Sequence, residues 1–318
     1  MRSWRRCLDT AGVRDSALRA DYTAAGRFLR RRETASWSVV RLMAPPEFVP
    51  HAFAGIALAY FTDDICDRGP AGERTERFET WAGFVQASLD TGTSRHPLLR
   101  AFLHSAEVCG LPRSWAETYL AGTRIDLDFP GFAGEADYQR YIDTQAWPAL
   151  MLTTGLMPHL VPDEEFASSC RLVADAMQRV DLLIDLADDL REGRMALPMS
   201  DLDRYGVTRA DLERGLDTPG VRALVAATAA SARATLEAAS LIVGEAPPEY
   251  RPLVRCLLGL TRHRLDTAAA LGSAVTRHPV RDNPLECLRL LLRSRRPDLP
   301  LPRHSATQSR THGNGRLP

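Results

Sequence analysis

Apolar residues recur three and four positions apart along most of this 318-residue chain, which is the spacing of helices with one buried face. Strand-like alternation is rare. Pro45-Pro46 and Pro162-Asp163 are typical of helix starts, whereas Pro148 inside an apolar helical stretch predicts a kink or break. The pattern predicts helices near residues 15–32, 46–67, 73–90, 96–109, 113–127, 135–160, 163–191, 208–214, 219–244, 248–272 and 282–293.

These helices are expected to form one all-α domain. No linker or change of composition divides residues 15–293, so a single helical domain is favoured over two. Residues 294–318 are rich in Arg, Pro, Ser and Gly and predict a disordered tail. The apolar stretch at residues 52–61 is too short to span a bilayer, and no transmembrane segment is expected.

Charge and cysteine content narrow the classes of function. The 40 basic and 40 acidic residues balance, so no overall field would draw in nucleic acid. Every strong cation is an arginine, whose guanidinium group suits phosphate oxygens. The six cysteines form no CxxC pair, and the charged N-terminus has no apolar core, so we expect a cytoplasmic protein with reduced thiols.

A first acidic stretch closes an apolar helix. Asp63 and Asp67 are four residues apart and share a helix face, with Asp64 beside them. Like charges at this spacing repel one another, and acids at the C-terminal end of a helix oppose its dipole. Mg²⁺, which prefers oxygen ligands, would offset both effects. Taken alone, the stretch is also compatible with a solvated helix end that binds nothing.

A second acidic stretch lies within residues 178–194. Asp181, Asp185 and Asp189 recur every four residues, between apolar residues that are expected to be buried. A carboxylate stripe bordering a core needs partners or a metal ion, although a salt-bridged surface face would also explain this stretch alone.

Together the two stretches predict a magnesium site around a departing diphosphate. Positive charge at the leaving group lowers the barrier to C–O cleavage, and two facing acidic helices could hold the ions there. The predicted metal ligands are Asp63, Asp64, Asp67, Asp181, Asp185 and Asp189.

Residues 41–67, 122–128 and 178–198 resemble, in matching order, sequence patterns of the squalene/phytoene synthase family. The resemblance implies an α-helical isoprenoid synthase bundle with a central cavity and the two acidic helices facing each other across its mouth. It implies catalytic roles in binding metal or diphosphate for Asp63, Asp64, Asp67, Asp185 and Asp189. It implies diphosphate contacts for Gln178, Arg191 and Arg194.

Three positions depart from the family pattern. Tyr60 stands where the family has Arg, Asp181 where it has Asn, and Ile184 where it has Arg. The loss of two cationic contacts, each worth roughly 1.5–3 kcal/mol to phosphate, weakens the case for a second bound diphosphate.

We therefore hypothesise that one allylic isoprenyl diphosphate, farnesyl or similar, is ionised and its prenyl group passed to a small-molecule acceptor. Similar phytoene-synthase-like prenyltransferases alkylate indole rings, which makes an indole the example to test. Head-to-head condensation of the squalene or phytoene type and class I terpene cyclisation remain alternatives. A catalytically dead scaffold is a further one. Prenyl chain length, regiochemistry and oligomeric state are left open.

Overall fold

The computed structural model describes residues 3–281 and 283–295, and within these ranges the chain is helical and contains no strand. The expected all-α class is therefore confirmed. The helices are Trp4–Thr10 (α1), Ser16–Arg32 (α2), Thr34–Met43 (α3), Phe48–Asp67 (α4), Ala71–Thr91 (α5), Pro97–Cys109 (α6), Ser114–Thr123 (α7), Glu135–Tyr141 (α8), Trp147–Thr154 (α9), Asp163–Ile184 (α10), Leu186–Arg191 (α11), Met199–Arg204 (α12), Arg209–Glu213 (α13), Pro219–Ala239 (α14), Ile242–Glu245 (α15), Arg251–Leu271 (α16) and Pro284–Ser294 (α17).

Two helices organise the core. Helix α4 is buried over most of its surface and packs against α2, α5, α6 and α9. Helix α10 packs against α9, α14 and α16. Because α9 contacts both, it joins the α4 group to the α10 group around one continuous apolar core. None of the described helices is both long enough and apolar enough to cross a bilayer.

Local sequence explains where several helices begin. The Asp15 carboxylate accepts a hydrogen bond from the Leu18 amide at 2.8 Å, which caps α2. Thr208 and Asp211 form a reciprocal capping box at the start of α13. Helix α10 begins directly after Pro162, as predicted, and carries three acids in its first turn, where the helix dipole favours them.

The disruption expected near Pro148 takes the form of a π-helical segment, Ile142–Ala146, between α8 and α9. Pro148 itself lies at the second position of α9, directly after the π segment. The π segment packs closely on α7 at Gly122, since a Cβ there would lie 1.8 Å from the Thr144 carbonyl oxygen. Glycine at 122 is therefore what permits this contact.

Other boundaries differ from the sequence-based expectation. The helix predicted over residues 163–191 ends at Ile184 and resumes as α11 after Asp185. Helices α1 and α3 were not predicted, because each is short and gains its stability from packing, as in the stacking of Trp4 and Trp37 on Phe53. Of the predicted tail, Ser294 ends α17, Arg295 follows it as the C-cap, and residues 296–318 lie outside the described residues. The division into a domain and a tail stays a prediction.

We expect Gly122→Ala to lower the free energy of unfolding by roughly 1–3 kcal/mol, because the added methyl group must push the π segment away from α7. Chemical denaturation would measure the change. Gly83→Ala is the matched control: Gly83 lies on α5 with open space around it, so this change should stabilise by about 0.5–1 kcal/mol. Equal effects of the two substitutions would contradict the packing argument.

Candidate active site

The first acidic stretch lies at the C-terminal end of α4, where each acid has different surroundings. Asp63 accepts a hydrogen bond of 2.8 Å from the hydroxyl of Tyr119 on α7. Asp64 is paired with Arg32 from α2 at 2.7 Å and with Arg68 at 3.1 Å. Asp67, on the last turn, is exposed. Two other helices, α2 and α7, therefore position groups around these carboxylates.

Burial dominates the electrostatics of Asp63. Loss of water around the side chain raises its pKa to about 6, and the nearby charge of Asp67 acts in the same direction. The hydrogen bond from Tyr119 opposes this rise because it stabilises the ionised form. Asp63 is therefore a carboxylate whose negative charge is only partly compensated by the protein.

The second acidic stretch spans a break in the helix. Asp185 ends α10 and precedes α11, which places Asp188 and Asp189 in the first turn of a new helix. An acid is favoured at the N-terminal end of a helix and disfavoured in a row of like charges. The break therefore relieves part of the repulsion between these carboxylates, which an uninterrupted helix would hold in one row.

Burial also raises the pKa values of the second group of acids. The pKa of Asp181 rises to about 7, through burial and then through the charge of Asp185. The pKa of Asp185 rises to about 6, through burial and the charges of Asp189 and Asp188, although its side chain keeps access to solvent. Arg264 on α16 opposes both shifts, so it supplies positive charge to this cluster.

Arg194 connects the two acidic groups. Its guanidinium lies 2.9 Å from Asp189 and 3.0 Å from Glu192. Burial opposes its charge, but the charges of Asp189, Glu192 and Asp67 raise the pKa of Arg194. Since Asp67 belongs to α4 and Asp189 to α11, one cation experiences the field of both acidic stretches. The two predicted groups therefore lie in the same part of the molecule.

The remaining predicted phosphate contacts are placed differently. Arg191 is exposed, pairs with Asp188, and donates a hydrogen bond to the backbone oxygen of Arg277 at 3.3 Å. Gln178 is half-buried on α10, one turn before Asp181. The diphosphate-binding roles of Gln178, Arg191 and Arg194 stay predictions.

Comparison with known proteins supplies the family. A sequence model of the Squalene/phytoene synthase family matches residues 30–296. The chain belongs to this family. Members of the squalene/phytoene synthase family transfer prenyl groups, so membership places the chain among prenyltransferases.

Several curated relatives are similar in sequence. The bifunctional protein CrtB/UppS of Streptomyces coelicolor is 31% identical over 83% of this chain, which spans 46% of that relative's length. A phytoene synthase of Thermus thermophilus is 29% identical, covering 69% of this chain and 73% of the relative. A presqualene diphosphate synthase of Rhodopseudomonas palustris is 25% identical, covering 70% and 78% respectively.

Solved structures share the fold. The squalene synthase HpnC of Alicyclobacillus acidocaldarius superposes with a TM-score of 0.69 at 23% identity, covering 84% of this chain and 95% of that one. A dehydrosqualene synthase with a bound ligand gives 0.77 at 17% identity, covering 87% and 96%. The isoprenoid synthase bundle expected from the resemblance is therefore confirmed as the fold of this squalene/phytoene synthase family member.

Three residues that contact the acids were missed in the sequence. Arg32, Tyr119 and Arg264 come from α2, α7 and α16, far from either acidic stretch along the chain. Arg32 also lies over the ring of Tyr60, at 5.4 Å from the ring centroid. A cation thus sits against the tyrosine that occupies the family's Arg position. The run of arginines at the end of α2 is visible in the sequence, but the sequence does not show that Arg32 pairs with Asp64.

The carboxylates at this site fit a Mg²⁺ ion that takes only some of its ligands from the protein, and not an ion enclosed entirely by protein ligands. Among the residues that the structure describes, no three His, Cys, Asp or Glu side chains form a metal-binding group. Mg²⁺ commonly binds through one or two carboxylates and completes its shell with water and substrate phosphate. The carboxylates of Asp63, Asp181 and Asp185, whose pKa values are raised by burial, have the hard oxygen donors and the uncompensated charge for that role.

The central cavity implied by the resemblance stays a prediction. Two surface cavities are lined by none of the six predicted metal ligands. One, of about 730 Å³, lies between α1 and α2. The other, of about 450 Å³, is lined by Trp115, Met151 and His159.

We expect the metal-free protein to lose stability as the pH rises from about 4 to about 7. The folded-state pKa values of Asp63, Asp181 and Asp185 are raised, so the folded state holds more protons than the unfolded chain in this window. Asp181→Asn, which removes one buried charge, should stabilise by roughly 1–3 kcal/mol at pH 8 and by little at pH 4. Thermal unfolding, measured at several pH values in the presence of a chelator, would test both expectations. Asp163→Asn, at the exposed start of α10, is the control, and a pH-independent gain in Asp181→Asn would contradict the argument.

Proposed function

We propose that this protein is a Mg²⁺-dependent prenyltransferase that ionises an allylic isoprenyl diphosphate between the ends of α4 and α10–α11. The observation that carries the proposal is the position of Arg194, which pairs with Asp189 and experiences the charge of Asp67. A diphosphate held beside Arg194 would therefore meet both acidic groups at once.

Asp63, Asp64 and Asp67 on one side, and Asp181, Asp185 and Asp189 on the other, are the groups that would hold Mg²⁺. When bound, the metal supplies positive charge that stabilises the departing diphosphate. The protein's own residues bind and orient the substrate. Arg194 offers guanidinium donors to phosphate oxygens, and the hydroxyl of Tyr119 holds the carboxylate of Asp63 in place.

Charge at the second acidic stretch supports transfer to a neutral acceptor. Relative to the family pattern, Asp181 adds one negative charge and Ile184 removes one positive charge. Arg264 supplies one positive charge that acts on Asp181 and Asp185. Two prenyl diphosphates would bring about twice the negative charge to a site with fewer cations. We therefore propose one diphosphate, of farnesyl type or similar, and a small-molecule acceptor such as an indole.

Head-to-head condensation is the second candidate. Two observations favour it: a cation from α2 lies against Tyr60, and the charge of a cation from α16 acts on Asp181 and Asp185. These arginines could supply the phosphate contacts that the family pattern assigns to arginines at the positions of Tyr60 and Ile184. The names of the sequence relatives, phytoene synthase and presqualene diphosphate synthase, point to the same chemistry in those proteins.

Metal and diphosphate should stabilise the protein only together. Inorganic diphosphate with Mg²⁺ at roughly 100 times the dissociation constant should add about 2.7 kcal/mol to the unfolding free energy. Differential scanning calorimetry of the wild type and of Asp185→Asn measures this. Asp185→Asn should lose the gain, whereas the control Asp163→Asn, at the exposed start of α10, should keep it. A scaffold with a dead site would show no gain in any variant.

Product analysis separates the chemical outcomes. With farnesyl diphosphate and an indole acceptor such as a tryptophan derivative, we expect a prenylated indole and the release of one diphosphate per product. Parallel reactions with geranylgeranyl diphosphate test chain length. A linear C30 or C40 product formed without acceptor would overturn transfer to an acceptor and support head-to-head condensation. A cyclic hydrocarbon formed without acceptor would identify a terpene cyclase.

A further inference from the structure

Helix α17 carries an apolar stripe that the residues described in the structure leave uncovered. Leu285, Leu288 and Leu292 are 66%, 52% and 58% exposed. They are three and four residues apart, so they line one face of the helix. Three large apolar side chains in a row are an exposed patch of the kind that marks an interaction surface.

The opposite face of α17 is already occupied. The helix packs against α16 and α3, where Leu290 comes close to Gly259 and Ser294 is buried. Arg295 donates a hydrogen bond to the backbone oxygen of Leu42 on α3 at 2.9 Å. The leucine stripe therefore points outward on a helix that is anchored from behind.

Arginines flank the stripe on both sides. At helical spacing, Arg289 and Arg293 lie along one edge of the leucine stripe, and Arg295 follows along the other; all three are exposed. Residues 281–318 contain eight arginines and three acids. Since the whole chain has a net charge of zero, the remaining residues carry a net charge of −5. Positive charge is thus concentrated in the C-terminal part of the sequence, to which the stripe belongs. Of the arginines beside the stripe, Arg289 pairs with Glu286, which lies on the same edge.

We propose that α17 docks this protein onto the surface of an anionic lipid bilayer. Leucines flanked by arginines are the pattern of a helix lying in a membrane interface, with its apolar face among the acyl chains and its guanidinium groups at the lipid phosphates. A second copy of the chain fits less well, because a two-fold contact would bring the same arginines together. Residues 296–318 also fit less well as the occupant of the stripe. They carry four arginines and one acid, so the arginines of α17 would repel them.

Vesicle flotation of the full chain tests the proposal. We expect binding to vesicles of phosphatidylcholine mixed with phosphatidylglycerol, weak binding to phosphatidylcholine alone, and release by salt. The triple variant L285Q/L288Q/L292Q should lower the partition coefficient at least about tenfold. Arg289→Gln and Arg293→Gln should each lower it about fivefold.

Matched controls come from exposed leucines elsewhere. Leu160 and Leu241 are 59% and 74% exposed, and the double variant L160Q/L241Q should bind vesicles as the wild type does. Circular dichroism checks that every variant keeps its helix content. Equal vesicle binding by the wild type and the triple leucine variant overturns the proposal, as does no binding by the wild type.

Two further results would identify a different occupant of the stripe. A wild-type dimer in sedimentation that the triple leucine variant converts to monomer would assign the stripe to a second copy and overturn membrane docking. Binding lost only when Arg296, Arg303, Arg310 and Arg316 are replaced by Gln would assign the lipid contact to residues beyond α17, and would equally overturn it.

Discussion

Carboxylates of like charge, brought together at the ends of two buried helices, cost free energy unless cations balance them. In this protein the C-terminal end of α4 and the segment from the end of α10 into α11 carry six such acids, and burial raises the pKa values of Asp63, Asp181, Asp185 and Asp189. Arginines from other elements supply part of the balance. Arg32 pairs with Asp64, Arg194 pairs with Asp189, and Arg264 lies by Asp181. The remaining uncompensated charge is what a divalent cation and its phosphate partner would meet.

The surrounding helices are arranged so that this charge can be held. Helix α9 packs on both α4 and α10, and Gly55 lets α4 approach α9 so closely that a Cβ would lie 2.1 Å from the Leu152 carbonyl oxygen. The break at Asp185 lets the second acidic stretch divide between two helices. The close packing at Gly55 and the helix break at Asp185 therefore both affect how near the carboxylates come to one another.

Much of the fold could be predicted because it depends on local periodicity. The helical spacing of apolar residues indicated an all-α chain, and the start of α10 after Pro162 followed from ordinary helix-start chemistry. The acids of the candidate site stood out because Asp63 and Asp67, like Asp181 and Asp185, share a helix face. The break at Asp185 and the π segment before Pro148 were less accessible, since each depends on neighbours that are distant along the chain.

By itself, the sequence determined that the chain is helical and which acids share a helix face, because both follow from spacing within a few residues. Only the tertiary structure decided which cations meet those acids. Arg32, Tyr119 and Arg264 come from three helices that local patterns cannot bring together. The tertiary structure also decided which side of α17 is covered. The amphipathic pattern of that helix predicts an apolar face, but only its packing on α3 and α16 leaves Leu285, Leu288 and Leu292 exposed.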